Sequence, residues 1–123
     1  MPIKYAYLGP AGTFTEAALL KIAASDDQLI AYANVTAALD AVRKGEANKA
    51  LVPIENSVEG VVARTLDELA SGDPLVITAE TTLPVTFSLM TLENKDPKDI
   101  KSIATHPHAE SQCRSFIAKN YPN

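Results

Sequence analysis

Short apolar runs and amphipathic stretches alternate along the first part of the chain, with turn-forming residues between them. Three runs have the length and composition of buried strands: residues 3–8, 28–33 and 49–54. Each run is followed by residues whose apolar positions recur at helical spacing, so the pattern predicts three strand–helix units. A regular alternation of this kind favours an α/β fold with a mostly parallel sheet and right-handed crossovers.

The three predicted helices have recognisable starts, stops and inward faces. The first is capped by Thr13, the second opens at Asn34 or Thr36 and stops at Gly45, and the third spans residues 61–70. The apolar residues expected on the inward faces are Ala17, Leu20 and Ala24 in the first helix, Val35, Leu39 and Val42 in the second, and Leu66 and Leu69 in the third.

Residues 75–92 break this alternation. They are rich in β-branched residues and interrupted by Pro84, which is typical of one long extended strand or two shorter ones. Residues 96–99 predict a turn or a helix start, and residues 101–105 a short strand. Residues 107–119 then predict a helix with proline in its first turn.

The extended segment is the expected boundary between two lobes, residues 1–81 and residues 82–123. After the crossing, the second lobe holds about one strand–helix unit, which is too little for a self-sufficient sheet. We therefore expect an incomplete second lobe and a sequence that has been cut after Asn123. Open sheet edges and uncovered apolar surface are normally covered by association, so a homo-oligomer is also expected.

Composition narrows the class of protein. With 46% hydrophobic and 21% charged residues, the 123-residue chain suits a globular protein. A net charge of −4 argues against nucleic acid as a partner. The single cysteine, Cys113, excludes an internal disulfide and a cysteine-based metal site. The first residues do not resemble a secretion signal and no apolar run could span a membrane, so we expect a cytoplasmic protein.

Three segments, residues 9–14, 55–60 and 105–112, place small or polar residues where a predicted strand ends and a helix starts. In open α/β sheets, ligands bind at the carboxyl ends of strands. Helix N-termini there offer free backbone N–H groups and a dipole that favours anions. Each segment alone is also typical of an ordinary tight connection or helix cap.

Together the three segments closely resemble the prephenate dehydratase family. The resemblance lies in YLGPAGTF at residues 7–14, VPIENSVEG at 52–60 with TLD at 65–67, and THPHA at 105–109 with QCR at 112–114. The LPV at residues 83–85 is similar to the strand between the family's lobes. The resemblance implies a fold like the type II periplasmic binding proteins, in which two α/β lobes close on the substrate. It also implies a lyase of L-phenylalanine biosynthesis that converts prephenate to phenylpyruvate without metal or organic cofactor.

The resemblance further implies site residues. Those expected to carry the chemistry are Asn56, Thr105, Gln112 and Glu55, and those expected to bind substrate are Thr13, Ser57 and His106. For His106, substrate contact and a purely structural role both stay open. Most of these groups are neutral hydrogen-bond donors, which suits a reaction that must release a carboxylate, because a strong cation would stabilise the ground state and oppose that loss.

The sequence also departs from the family pattern. The Thr-Arg-Phe segment, whose threonine is most closely tied to catalysis in the family, does not occur here. The ACT domain, through which most members bind phenylalanine, and a chorismate mutase region are also absent from these residues. We therefore expect residues 1–123 alone to have little activity, and phenylalanine to act only through an ACT domain.

Other functions remain alternatives. Within the same chemistry, the enzyme could act on arogenate, the amino analogue of prephenate. A non-catalytic module that binds a small carboxylate predicts a secretion signal, which these residues do not show. A structural or oligomerisation fragment predicts a large exposed apolar face.

Five residues suggest other kinds of chemistry but have simpler explanations. His106 and His108 have no third ligand at suitable spacing, so no metal site is expected. Cys113, close to apolar residues of a predicted helix, is more typical of a small buried side chain than of a nucleophile. Glu55 and Glu59 could form an acid–base pair, or could both point to solvent.

Overall fold

The computed structural model describes residues 1–122 and divides the chain into two units, the first Met1–Pro84 and the second beginning at Val85. The assignment of the two units to the lobes of a cleft stays a prediction.

A three-stranded parallel sheet forms the centre of the first unit. Its strands are β1 (Lys4–Leu8), β2 (Gln28–Tyr32) and β3 (Lys49–Leu51), in the order β2-β1-β3. The predicted α/β class with a parallel sheet is confirmed. β3 is shorter than predicted. Pro53 has no backbone N–H with which to continue the ladder, and the ladder to β1 ends at Leu51.

Three helices accompany this sheet: α1 (Phe14–Leu19), α2 (Val35–Arg43) and α3 (Ala63–Ala70). Asn34, the first of the two predicted starts, caps α2, because its side chain accepts a hydrogen bond of 2.8 Å from the Ala37 N–H. Gly45 follows the helix with a φ of 73°, as its predicted role as a stop requires.

The alternation of side chains along β1 builds a core on both faces of the sheet. On one face, Ala6 packs against Ala38, Ala41 and Ala47 in a cluster of small buried side chains that brings α2 close to the sheet. On the other face, the buried rings of Tyr5 and Tyr7 pack against Leu19 of α1. α1 and β1 therefore meet through a few large side chains.

The predicted inward face of α1 is wrong by one position. Leu19 is fully buried, whereas Leu20 is 63% exposed and Ala17 and Ala24 are exposed as well. Adjacent helical residues point about 100° apart, so a pattern that contains two neighbouring leucines fits two different faces.

The face of α3 is also displaced, because Leu66 is 43% exposed and its neighbour Thr65 is 1% exposed. The hydroxyl of Thr65 donates a hydrogen bond of 2.6 Å to the Pro53 carbonyl oxygen, which allows a polar side chain to be buried there. Leu69 is half-buried.

A small hairpin, absent from the sequence prediction, lies between β3 and α3. Its strands are β4 (Glu55–Asn56) and β5 (Gly60–Val61), which pair in antiparallel fashion. The third helix therefore begins at Ala63 instead of residue 61. Glu55 and Asn56 therefore form the first strand of this hairpin and Ser57 begins its turn, so the segment does not lead directly into a helix, which corrects the predicted placement.

The second unit contains one long helix, α4 (Pro107–Asn120), which confirms the predicted helix with proline at its start. A 3₁₀ turn, Pro97–Asp99, occupies the predicted turn, with the Asp96 side chain accepting from the Lys98 N–H at 2.9 Å. The strands predicted at residues 75–92 and 101–105 are wrong, because no ladder involves those residues in the described part of the chain. β-branched residues favour an extended backbone, but a strand also needs a partner to bond with.

Candidate functional site

The carboxyl ends of β1, β2 and β3 lie at the same edge of the sheet, because the three strands are parallel. The turn of residues 9–13 leaves the central strand at this edge, and residues 52–56 leave β3 beside it. The Gly9 N–H donates to the Tyr32 carbonyl oxygen at 2.8 Å, which ties the turn to the end of β2. The predicted site residues of the first unit therefore follow adjacent strands.

Glycine is required where this turn begins. A Cβ at Gly9 would come within 2.9 Å of the Ala31 Cβ and 3.2 Å of the Tyr32 carbonyl oxygen. Gly12 has a φ of 82°, in the left-handed region that favours glycine. The Gly9–Pro10 peptide bond is cis. The sequence pattern of the turn thus reflects close backbone packing as well as any ligand.

Thr13 lies at the end of the turn, where α1 begins. It takes the N-cap position with an extended backbone, but its side chain makes no capping hydrogen bond. Instead its hydroxyl donates to the Pro10 carbonyl oxygen at 2.8 Å. The hydrogen of this hydroxyl is therefore used within the turn, and its lone pairs are the part of the group that can receive a bond from a ligand.

Glu16 holds the same turn, although it was not among the site residues predicted from the sequence. One carboxylate oxygen accepts a hydrogen bond from the Gly12 N–H, and the other accepts from the Tyr7 hydroxyl at 3.3 Å. Tyr7 is only 2% exposed, and burial together with the neighbouring Glu16 carboxylate raises its pKa, so the phenol remains a donor. The signal that could have revealed Glu16 is the Thr-x-x-Glu spacing of a capping box.

Asn56 occupies the hairpin that follows β3. Its side-chain oxygen accepts from the backbone N–H groups of Val58 at 2.8 Å and Glu59 at 3.3 Å, which closes the turn. Gly60, its partner in the hairpin, has a φ of 81°. Since the oxygen is engaged, the amino group of this half-buried side chain is what it can offer to a ligand. Its neighbours on either side, the predicted Glu55 and Ser57, are exposed.

An open cavity of about 290 Å³ lies at the ends of β1 and β2. It is lined by Gly9, Pro10, Ala31, Tyr32 and Ala33. These walls are mainly apolar, and the cavity adjoins the turn that leads to Thr13. The edge of the sheet at which the strands end therefore has an apolar surface for a ligand next to its polar groups.

The remaining predicted site residues belong to the second unit. His106 is the N-cap of α4, and its Nδ1 accepts from the His108 N–H at 3.2 Å. This bond gives His106 the structural role that was one of its two predicted alternatives, while substrate contact stays a prediction. Thr105 precedes the cap and is exposed, and Gln112 lies on α4, half-buried.

The structure therefore divides the predicted site residues into two groups, one in each unit. Their convergence in one cleft stays a prediction.

Among residues 1–122, no three His, Cys, Asp or Glu side chains are grouped so as to hold a metal ion. No helix in that same range is long and apolar enough to cross a membrane. Cys113, predicted to be buried, is half-buried.

A family model described as prephenate dehydratase matches residues 5–123. A prephenate dehydratase from Amycolatopsis methanolica is 50% identical over 119 residues, covering 97% of this chain and 38% of that protein. One from Mycobacterium ulcerans (strain Agy99) is 47% identical over 129 residues, covering 98% of this chain and 41% of that protein.

The fold of this chain is also similar to that of a solved structure. The crystal structure of prephenate dehydratase in complex with L-Phe from Arthrobacter aurescens is similar with a TM-score of 0.86 and 48% sequence identity. The match covers 98% of this chain and 40% of that one. This chain therefore spans about two fifths of the length of the relatives it matches.

Proposed function

The chain belongs to the prephenate dehydratase family, and from that premise we propose that it forms much of the substrate cleft of an enzyme that converts prephenate to phenylpyruvate. Enzymes of this name are lyases of phenylalanine biosynthesis. The observation that carries the proposal is the hydrogen bonding of the Asn56 side chain. Its oxygen accepts from the backbone N–H groups of Val58 and Glu59, so its amino group is held in place as a donor for a ligand.

The reaction explains why a fixed neutral donor is useful. Prephenate carries two carboxylates and a ring hydroxyl. The bond between the ring and one carboxylate breaks to release carbon dioxide, its electron pair moves into the ring, and the hydroxyl leaves with a proton as water. The ring becomes aromatic and phenylpyruvate remains. The protein must orient the ring and assist departure of the hydroxyl.

Neutral donors can orient the carboxylates without opposing the loss of one. A strongly cationic partner on the departing carboxylate would stabilise the ground state more than the transition state. In the proposed cleft Asn56 and Gln112 donate to substrate oxygens, Thr105 and Ser57 add hydroxyl groups, and Glu55 supports the hairpin turn. This chemistry makes no use of a metal or an organic cofactor.

Thr13 and the apolar cavity complete the proposed contacts in the first unit. The Thr13 hydroxyl accepts from a substrate donor, since its own hydrogen bonds to Pro10. The cavity beside Gly9 and Pro10 gives the ring an apolar surface to lie against. His106 is the weakest member of the proposed set, because its Nδ1 is engaged in capping α4.

The two units are proposed as parts of two lobes in a fold of the type II periplasmic binding protein kind. The division of the chain next to Pro84 supports this. We place the assembled enzyme in the cytoplasm. We also propose that it is a homo-oligomer, because many large apolar side chains are exposed in the first unit and after Val85, and association would cover them. The Arthrobacter aurescens relative is described with L-Phe; here we propose that phenylalanine acts through an ACT domain outside these residues.

Incubation of the protein, in the length in which the organism makes it, with prephenate tests the proposal. Phenylpyruvate and carbon dioxide should form in equal amounts, and no metal should be needed. A parallel incubation with arogenate separates the two substrates, since arogenate would give phenylalanine directly. Binding of prephenate without any product would favour a non-catalytic binding module and would refute the proposal. Residues 1–123 alone should be slower by on the order of 10²–10⁴, the usual loss when a positioned proton donor is missing.

A further inference from the structure

The turn of residues 9–13 is held by the side chain of Glu16, which has no part in the chemical steps of the proposed reaction. We infer that Glu16, braced by the buried hydroxyl of Tyr7, is a positioning residue that fixes this turn and with it the hydroxyl of Thr13. The inference rests on the proposed function, because it takes Thr13 as a substrate contact. It goes further by assigning a role in the site to a helix residue outside the turn.

The position of Glu16 follows from how α1 packs. Glu16 and Leu19 are three residues apart and therefore lie on the same face of the helix. Leu19 is fully buried against the rings of Tyr5 and Tyr7, so the helix cannot rotate without losing this contact. The carboxylate of Glu16 is thereby directed to the end of β1, where the Tyr7 hydroxyl and the turn meet it.

An ordinary capping box does not account for these contacts. In that motif the threonine oxygen accepts from the backbone N–H three residues later, and the glutamate reaches back to the N–H of the cap itself. Here the Thr13 hydroxyl instead donates to Pro10, and the Glu16 carboxylate accepts from Gly12, one residue before the cap. Both side chains of the motif therefore stabilise the turn before the helix instead of the first helical N–H groups.

Tyr7 gives the arrangement its rigidity. Its ring belongs to the core, and its hydroxyl lies 3.3 Å from one oxygen of the Glu16 carboxylate. A buried hydroxyl that lost this acceptor would be costly, so the contact favours one rotamer of Glu16. The other oxygen is then held at the Gly12 N–H, in a residue whose φ of 82° already restricts the turn.

The test uses three variants of the protein in its natural length. Glu16→Gln is the matched conservative change, because its amide oxygen can accept from Gly12 while its amino group donates to the Tyr7 oxygen. Glu16→Ala removes both bonds. Tyr7→Phe keeps the ring and the Gly12 bond and removes only the brace. Steady-state kinetics with prephenate, the thermal midpoint, and hydrogen exchange of a peptide that covers residues 9–13 are measured for each.

We expect Glu16→Ala to lower kcat/KM by up to about 10²-fold, since a displacement of about 1 Å of a binding group can cost this much. The same variant should speed exchange in residues 9–13. Glu16→Gln should restore both values to within a few-fold of the wild type, and Tyr7→Phe should fall between them. Such a set would show that hydrogen bonding to the turn matters more than the charge.

Two results would overturn the inference. One is a Glu16→Ala variant with a lower thermal midpoint but unchanged kcat/KM, which would make Glu16 a helix-stabilising residue only. The other is a Glu16→Gln variant as impaired as Glu16→Ala. If the wild type makes no phenylpyruvate, the proposed function fails instead, and hydrogen exchange decides the inference: unchanged exchange in Glu16→Ala would sink it, and faster exchange would support it.

Discussion

The hydroxyl of Thr65 donates a hydrogen bond of 2.6 Å to the carbonyl oxygen of Pro53. Thr65 is 1% exposed and lies in the first turn of α3, whereas Pro53 lies between β3 and the hairpin that carries Asn56. This bond therefore connects a helix to the segment that leads into the candidate site.

Replacing Thr65 with valine should destabilise the protein without changing its shape. Valine has nearly the volume of threonine but leaves the Pro53 carbonyl without this donor, which costs about 1–3 kcal/mol for a buried group. Urea unfolding of the variant measures the loss. Thr65→Ser is the matched control, because it keeps the hydroxyl and loses only a methyl group. Equal stability of the valine variant and the wild type would contradict this account.

Arg43 of α2 makes a second connection, to the end of α3. Its guanidinium donates to the carbonyl oxygens of Glu68 at 2.6 Å, Ser71 at 3.1 Å and Asp73 at 3.1 Å. It also bonds the carboxylates of Asp40 at 2.9 Å and Glu68 at 3.5 Å, and these partners raise its pKa. A planar fork with several donors is needed to reach so many acceptors.

Arg43→Lys should therefore be nearly as destabilising as Arg43→Ala. Lysine keeps the charge but cannot reproduce the fork, so it loses most of the hydrogen bonds that Arg43 makes to the carbonyl oxygens of Glu68, Ser71 and Asp73. Thermal unfolding followed by circular dichroism compares the two variants. Arg64→Lys serves as the control, because the Arg64 side chain is 64% exposed, and its ion pair with Glu68 and its bonds to the Thr36 hydroxyl are open to solvent and should matter little. A lysine variant as stable as the wild type would contradict the expectation.

The strands β1 and β2 and the helix α2 could be predicted from the sequence for a local reason. β1 and β2 combine apolar runs with clear turn residues at their ends, and α2 has Asn34 as a cap and Gly45 as a stop. Such signals act over a few residues and do not depend on the rest of the fold.

The faces of α1 and α3 were not predictable in this way. Leu19 and Leu20 are equally apolar, and only contact with the rings on β1 selects the first of them. Burial of Thr65 in place of Leu66 depends on the carbonyl oxygen of Pro53, twelve residues earlier in the chain. Residues 75–92 have the composition of a strand, but pairing depends on a partner that composition does not specify.

The candidate site likewise has residues that local sequence signals indicate and one whose role depends on contacts between distant parts of the chain. Thr13 and Asn56 could be proposed as site residues from the sequence, because each occurs in a short motif that resembles the family's, and their roles stay predictions. The role of Glu16 depends on Tyr7, which lies on another element. The spacing of a capping box is present in the sequence. That Thr13 bonds to Pro10 and Glu16 to Gly12 instead of to the first helical N–H groups is visible only in the three-dimensional structure.

The hydrogen bonds of the Asp27 carboxylate determine how the free energy of unfolding should change at acid pH. It accepts hydrogen bonds from the backbone N–H groups of Ile3 at 2.7 Å and Ala24 at 2.8 Å, and these bonds lower its pKa below the ordinary value for aspartate. A carboxyl whose folded-state pKa is depressed stabilises the fold above its unfolded pKa. This contribution is lost as the pH falls from the ordinary aspartate range through the lower folded-state pKa.

The variant Asp27→Asn should remove this part of the pH dependence. Its side chain has only one oxygen acceptor, so the variant should be less stable at neutral pH, and the difference from the wild type should shrink as the pH falls below the ordinary aspartate range. Thermal midpoints measured across the acid range test this. Asp26→Asn is the control, since Asp26 is exposed and makes neither bond. A constant difference between Asp27→Asn and the wild type at all pH values would contradict the assignment.

Asn56 offers the sharpest test of the proposed site, because its two functions can be separated. The side-chain oxygen holds the hairpin through the N–H groups of Val58 and Glu59, and the amino group is the proposed donor to substrate. Asn56→Asp keeps an acceptor for both N–H groups but replaces the donor by a negatively charged oxygen. Asn56→Ala removes both functions.

We therefore expect Asn56→Asp to unfold at nearly the wild-type temperature while kcat/KM for prephenate falls by about 10²–10³, the usual cost of removing one aligned donor. Asn56→Ala should lose activity to a similar extent and lose stability as well, because the turn is no longer closed. Ser57→Ala, next to it on the exposed side of the turn, should change activity less. If the aspartate variant turned over prephenate as well as the wild type, Asn56 would be a turn residue only, and the donor role proposed for it would have to be abandoned.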